Sequence, residues 1–199
     1  AGKAEGYSTG FPTLDAYFRL VAGEMVVIAA RPSQGKTVLG VQIAENVARQ
    51  LQRDGDPGSV AVFSAEMTGW SLVVRMAGAM CGVNTHAMRM GKGQPGDLAQ
   101  MRQAIADLKR LPIWIDDGSA PTTKSMLEQL TDLNETNPIR LMLFDFMELG
   151  GDRAQSEELR VGAIAIGLKD IAKRLKIPVV ALSQLNRGVE QRTDKKPVM

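Results

Sequence analysis

Apolar residues in this chain fall into short unbroken runs, separated by longer stretches in which they recur every three or four positions. The runs cover residues 24–29, 59–64, 111–115, 139–144 and 178–182 and predict five strands, A to E. Strand A, with its V-V-I run, lacks alternation, which predicts burial on both faces. Between the strands, Ala44, Val47, Ala48 and Leu51 form one helical stripe, ending before Gly55. A second helix is expected around 70–81, and a third carries Leu98, Met101, Ile105 and Leu108 on one face, with Asp97 as its cap. A fourth, opened by Pro121 and Thr122, buries Met126, Leu127, Leu130 and Leu133 and is closed by Asn137-Pro138. The last, 156–176, turns Ile164, Leu168, Ile171, Ala172 and Leu175 inward, with Lys169, Lys173, Arg174 and Lys176 on the solvated side and last turn. Gly, Asn, Thr and Pro make 82–96 a loop, and 6–15 reads as an ordered entry segment anchored by Phe11 and Leu14 that covers the sheet edge. Strands alternating with helices predict an α/β domain with a mainly parallel sheet.

At 199 residues, 44% of them hydrophobic, the chain suits one domain with a core of its own. It divides into the entry segment 1–23, the core 24–182 and a basic tail 183–199. A formal charge of +2 neither announces nor excludes a polyanionic partner. A lone Cys81 cannot form an internal disulfide, and no apolar run reaches the roughly 20 residues that span a bilayer. Both point to a cytoplasmic protein without a membrane partner. His86 has no companions at metal-ligand spacing, and Met76, Met80, Met88, Met90 and Met101 read as adaptable packing.

The chemistry gathers where the apolar runs end. Strand A runs into Ala30, Arg31, Pro32, Ser33, Gln34, Gly35, Lys36 and Thr37, a phosphate-binding loop ahead of a helix. Gly35 lets the backbone approach a triphosphate, Lys36 reaches the β- and γ-phosphates, and the Thr37 hydroxyl ligates Mg²⁺. Ala30 departs from the usual pattern, which opens with Gly. Strand B delivers Glu66, strand D Asp145 and strand E Gln184, at the strand ends beyond which such sheets bind ligands. These types suit nucleoside triphosphate hydrolysis: Asp145 holding Mg²⁺ through water, Glu66 activating the attacking water, Gln184 sensing the γ-phosphate. On the residues alone, Asp145 also fits an ordinary strand-end acid, Glu66 a helix cap and Gln184 a structural amide.

Taken together, T-G-F-P-T-L-D at 9–15, A-R-P-S-Q-G-K-T at 30–37, F-S-A-E-M at 63–67 and V-V-A-L-S-Q-L-N-R-G-V-E-Q-R-T-D-K-K-P-V at 179–198 resemble the RecA-like ATPase domain of bacterial replicative helicases, the DnaB family. That family also carries Ala at the first loop position. The resemblance implies the strand order C-B-D-E-A, ATP (or another NTP) and Mg²⁺ as ligands, and a homo-hexamer that hydrolyses nucleotide at subunit interfaces while moving on single-stranded DNA. It assigns the same roles to Lys36, Thr37, Glu66, Asp145 and Gln184, and implies a primase and a helicase loader as partners. It also implies that a primase-contacting domain precedes Ala1, and that a DNA-binding loop and an arginine finger follow Met199. Such a finger is worth on the order of 10³–10⁵ in rate, so this stretch alone is expected to bind nucleotide, hydrolyse it weakly and not unwind DNA. D-F-M-E-L stands where the family has D-Y-L-Q-L, so Glu148 replaces an amide and marks a divergent, phage- or plasmid-type member. Arg187, Arg192, Lys195 and Lys196 lie beyond strand E and read as a solvated loop, or as a contact to DNA or an adjoining subunit. The other functional classes that fit are a regulatory or assembly protein that only binds nucleotide, and a recombinase-type ATPase.

Overall fold

In the computed structural model, which describes residues 5–185, five parallel strands form one sheet in the order β1-β5-β4-β2-β3. The strands are β1 (Met25–Ala30), β2 (Ser59–Ser64), β3 (Ile113–Asp116), β4 (Ile139–Asp145) and β5 (Val179–Gln184). They are the predicted strands A to E, and their order is C-B-D-E-A read from the other edge. The helices are α1 (Pro12–Asp15), α2 (Lys36–Asp54), α3 (Gly69–Cys81), α4 (Thr85–Arg89), α5 (Asp97–Leu108), α6 (Thr123–Thr136) and α7 (Glu157–Leu175), with a 3₁₀ turn at Met147–Leu149.

The central strand β4 is buried at every position but Arg140, because helices cover both of its faces. On one side α2, α3 and α5 enclose Val47, Leu51, Leu72, Leu141 and Leu143; on the other, α6 and α7 enclose Phe63, Met126, Phe144, Leu168 and Val179. Burying each such side chain is worth on the order of 1.5–3 kcal/mol. Two packed layers therefore hold the strand ends rigid, independently of any ion pair between them. Helix α2 packs tightly on the sheet at Gly40, where an added Cβ would lie 2.9 Å from Leu182 Cδ1 and 3.2 Å from Leu143 Cδ1. It stops at Gly55, whose φ of 67° closes the last turn. Helix α6 opens with a capping box between Thr122 and Ser125, and the Ser156 hydroxyl caps α7.

The entry segment packs on α2. Asn46 Nδ2 donates to the Thr9 carbonyl at 2.9 Å and Gln50 Nε2 to the Ser8 carbonyl at 2.8 Å, while Tyr7 pairs with Leu20 in an isolated antiparallel bridge. Phe11 packs against the core, whereas the second predicted anchor, Leu14, is only half-buried and gives way to Leu20.

Several expectations are corrected. Strand β1 is an edge strand: Val26 and Ile28 pack against the core on one face, while the other is covered at Met25 but left open at Val27, which is 45% exposed. The predicted loop 82–96 contains α4, whose N-cap is the Asn84 side chain. Gly96, at φ 96°, caps α5, while the Asp97 carboxylate accepts from the Gln94 N–H at 2.7 Å. Leu98 is 56% exposed and Met90 62% exposed, so neither packs into the core. Lys169 is not simply solvated, since it donates to the Gly23 carbonyl at 2.9 Å and to Glu24 at 2.7 Å, tying α7 to the start of β1. The basic cluster Arg187, Arg192, Lys195 and Lys196 lies outside the described residues. Among those described, no helix is long and apolar enough to cross a membrane.

Candidate functional site

All five strands are parallel, so their C-terminal ends lie on one side of the sheet. The register sets Ala30 beside Gln184 and Ser64 beside Asp145. Two hydrogen bonds extend these pairings past the strand ends, from Leu185 N to the Ala30 carbonyl at 3.0 Å and from Ala65 N to the Asp145 carbonyl at 2.8 Å.

Past Ala30 the backbone turns sharply, with left-handed residues at Ser33 (φ 64°) and Gly35 (φ 85°). Gly35 is the residue ahead of α2, where free N–H groups and the positive helix end face the same space. An L-residue adopts such a φ at a cost, which gives Gly its place here. Ala30 needs no such freedom: it closes β1 in register with Gln184 and is absent from the positive-φ residues. The departure from a leading Gly thus carries no backbone penalty.

Glu66 is presented by a turn that Ser64 ties off, its hydroxyl donating to the Met67 carbonyl at 2.8 Å and accepting from the Met67 N–H at 3.2 Å. Glu66 does not cap the next helix. Thr68 does, accepting from the Ser71 N–H at 3.3 Å.

Lys36, only 8% exposed, joins these pieces: its Nζ lies 3.5 Å from Glu66 Oε2 and 3.5 Å from Asp145 Oδ1. The same Nζ stands 3.7 Å above the centroid of the Phe146 ring, a cation–π contact that supports the ammonium from below. Asp145 is fully buried, and neither of its carboxylate oxygens makes a well-formed hydrogen bond, although the Thr37 hydroxyl and the Lys36 ammonium stand beside it. Burial pushes its pKa up, and the Glu66 charge adds to that; the Thr37 hydroxyl and the Lys36 ammonium beside it pull the other way without prevailing.

A cavity of about 400 Å³ opens above these groups, walled by Ser33, Gly35, Lys36, Thr37, Glu66 and Gln184. Pro32 and Met67 also reach it, whereas Ala30, Arg31 and Gln34 of the loop do not form its wall. Asp145 lies out of solvent contact, next to Lys36. The structure therefore brings Lys36, Thr37, Glu66, Asp145 and Gln184 together.

Three further residues belong to this constellation. Arg75, on α3, lines the cavity and adds a cation opposite the loop. Its only trace in the sequence is one charge inside an apolar helix, with nothing to say which way it faces. Phe146 reads as one more apolar residue after strand D. Glu148 is visible as a replaced amide, and its partners appear only in three dimensions: its Oε1 accepts from Ser183 Oγ at 2.6 Å and from Gln184 N at 2.9 Å.

Residues 6–199 match the family model described as the DnaB-like helicase C-terminal domain. The replicative DNA helicase DnaB of Geobacillus stearothermophilus is 36% identical over 205 aligned positions, which take in 100% of this chain and 43% of that protein. The replicative DNA helicase DnaC of Bacillus subtilis (strain 168) matches at the same identity and coverage, 36% with 43% of its length. The chain thus spans less than half the length of these relatives. Among solved structures, a DnaB-like replicative helicase studied with its primase interactions superposes with a TM-score of 0.86 at 28% identity, over 100% of this chain and 48% of that one. The ATPase domain of G40P superposes with a TM-score of 0.85 at 28% identity, over 100% of this chain and 70% of that one.

Proposed function

The chain belongs to the DnaB-like helicase C-terminal domain family, and from that premise we propose that it is the ATPase core of a replicative DNA helicase, coupling ATP hydrolysis to movement on single-stranded DNA. The observation that carries the reading is the position of Lys36, 3.5 Å from each of two carboxylates at the mouth of a phosphate loop. A lysine so placed is shared between the two acids until a triphosphate supplies oxygens of its own.

Backbone N–H groups of the loop and the first turn of α2 receive the phosphates, and Lys36 turns to the β- and γ-phosphate oxygens. Glu66, 47% exposed on its side chain and so within reach of solvent, orients a water and takes its proton as the oxygen attacks the γ-phosphorus. The bond from the γ-phosphorus to the bridging oxygen breaks, leaving ADP and phosphate. Gln184 contacts the γ-phosphate and registers its departure.

The donor set fits Mg²⁺. Asp145 offers two buried oxygens without well-formed hydrogen bonds next to the Thr37 hydroxyl, and among the described residues no group of three or more His, Cys, Asp or Glu forms a closed cage. An ion that keeps much of its water shell and takes phosphate oxygens suits that arrangement, with Thr37 as direct ligand and Asp145 acting through water. When bound, Mg²⁺ neutralises charge on the β- and γ-phosphates.

The assembly proposed is a homo-hexamer around single-stranded DNA, served by a primase and a loader. The test is ATP hydrolysis and particle mass, with and without single-stranded DNA, for a protein of the relatives' length that carries this chain. A ring-sized particle stimulated by DNA is expected. A monomer indifferent to DNA overturns the proposal.

A further inference from the structure

Glu148 sits where two halves of the site meet. It belongs to the turn Met147–Leu149, which follows Asp145 and Phe146 and therefore starts from the residues that touch Lys36. From that turn its side chain reaches across to the end of β5, where Oε1 accepts from the Ser183 hydroxyl at 2.6 Å and from the backbone N–H of Gln184 at 2.9 Å. Its second oxygen, Oε2, is buried with no partner. The turn is held from behind by Arg160 of α7, which donates to the Glu148 carbonyl at 3.0 Å and to the Gly150 carbonyl at 3.2 Å.

A group that only filled this space would not be a carboxylate, since an unpaired buried oxygen is costly. A single acceptor oxygen that takes an O–H and a backbone N–H together fixes both donors in place. Here both bonds end on the two residues that fix the last step of β5, one of which turns its side chain to the triphosphate cavity.

We propose that Glu148 is a positioning residue that sets Gln184 against the γ-phosphate and ties the end of β5 to the Asp145 turn. A change at Gln184 on loss of the γ-phosphate then reaches the turn through one carboxylate, and α7 through Arg160. This inference rests on the γ-phosphate role proposed above for Gln184.

The test reads discrimination between triphosphate and diphosphate: the ratio of ADP to AMP-PNP dissociation constants in the presence of Mg²⁺, by competition with a fluorescent nucleotide, with thermal unfolding as the folding check. Gln184→Ala is expected to lower the AMP-PNP preference about tenfold, the scale of one charge-assisted hydrogen bond. Glu148→Ala is expected to lower it by a similar factor, and the double variant no further, because both act through one contact. Glu148→Gln, which keeps an acceptor oxygen, stays within about twofold of the wild type. Should Glu148→Ala not fold, Ser183→Ala removes one of the two donors and is expected to shift the ratio in the same direction by about threefold.

If Gln184→Ala shifts the ratio while the Glu148 and Ser183 variants do not, or if the double variant multiplies the two effects, Glu148 has no part in positioning and only this inference fails. If Gln184→Ala itself leaves the ratio unchanged, the γ-phosphate role of Gln184 fails and this inference with it.

Discussion

Lys36 Nζ lies 3.5 Å from Asp145 Oδ1, and among the described residues that contact is the ion pair that compensates this fully buried carboxylate. Lys36 also serves Glu66 at the same distance, so one ammonium is shared by two acids. Arg75 brings a second cation to the cavity but not to this carboxylate, so the compensation is thinnest at the buried Asp145, and a hydrated cation placed beside it relieves that charge.

Asp145→Asn removes the buried charge while keeping its shape. The ligand-free protein is expected to gain stability, with Tm rising by about 2–4 °C if the change is worth about 1 kcal/mol. Mg²⁺-dependent nucleotide binding is expected to be lost. Thermal unfolding with and without Mg²⁺ and nucleotide reads both effects.

The same group gives a pH dependence of determined sign. Burial raises its folded pKa above the ordinary carboxylate value, so in the window above that value the native state holds a proton that the unfolded chain has released. Its contribution to stability is therefore present below the ordinary carboxylate value and lost as pH rises through the raised one. Stabilisation by Mg²⁺ and nucleotide runs the opposite way, growing as Asp145 ionises. Asp15 and Glu24, whose carboxyls are held below their ordinary values, titrate in both proteins, so the difference in Tm between wild type and Asp145→Asn, followed against pH with and without ligand, should carry both trends.

Glu66→Gln is nearly isosteric and leaves the loop untouched. Nucleotide affinity is expected to stay within about threefold, and turnover in the assembled enzyme to fall by on the order of 10²–10⁴, the usual weight of a general base. Equal turnover in the two proteins would remove Glu66 from the chemistry.

Gly35→Ala places a Cβ in open space but on a backbone with φ 85°. The expected stability cost is about 1–2 kcal/mol, from the left-handed conformation alone. Triphosphate affinity should fall more steeply than stability, because the new methyl stands where the phosphates approach the backbone. Calorimetric titration with ATP alongside thermal unfolding separates the two.

The residues that end apolar runs were legible in the sequence because burial makes such runs long and unmistakable, and a polar residue at their end then stands out. Asp145 after L-M-L-F and Gln184 after V-A-L-S are of this kind. The face of a strand was less legible: V-V-I in β1 looks doubly buried, yet β1 is the sheet edge, and only long-range pairing decides which strand lies outermost. Helix α4 was missed because its five residues are too few for a period to appear. The reach of Arg75 into the cavity and the bridge from Glu148 to β5 depend on where α3 and the turn after β4 pack, which no local pattern encodes.

The central claim is that Lys36, Thr37, Glu66, Asp145 and Gln184 surround one triphosphate and its metal, and a crystal structure with Mg²⁺ and AMP-PNP tests it most directly. The account predicts Lys36 on the β- and γ-phosphates, Mg²⁺ on the Thr37 hydroxyl with a water between it and Asp145, and Glu66 and Gln184 facing the γ-phosphate. Nucleotide bound away from the loop after β1, or a metal with neither Thr37 nor Asp145 in its shell, would contradict it.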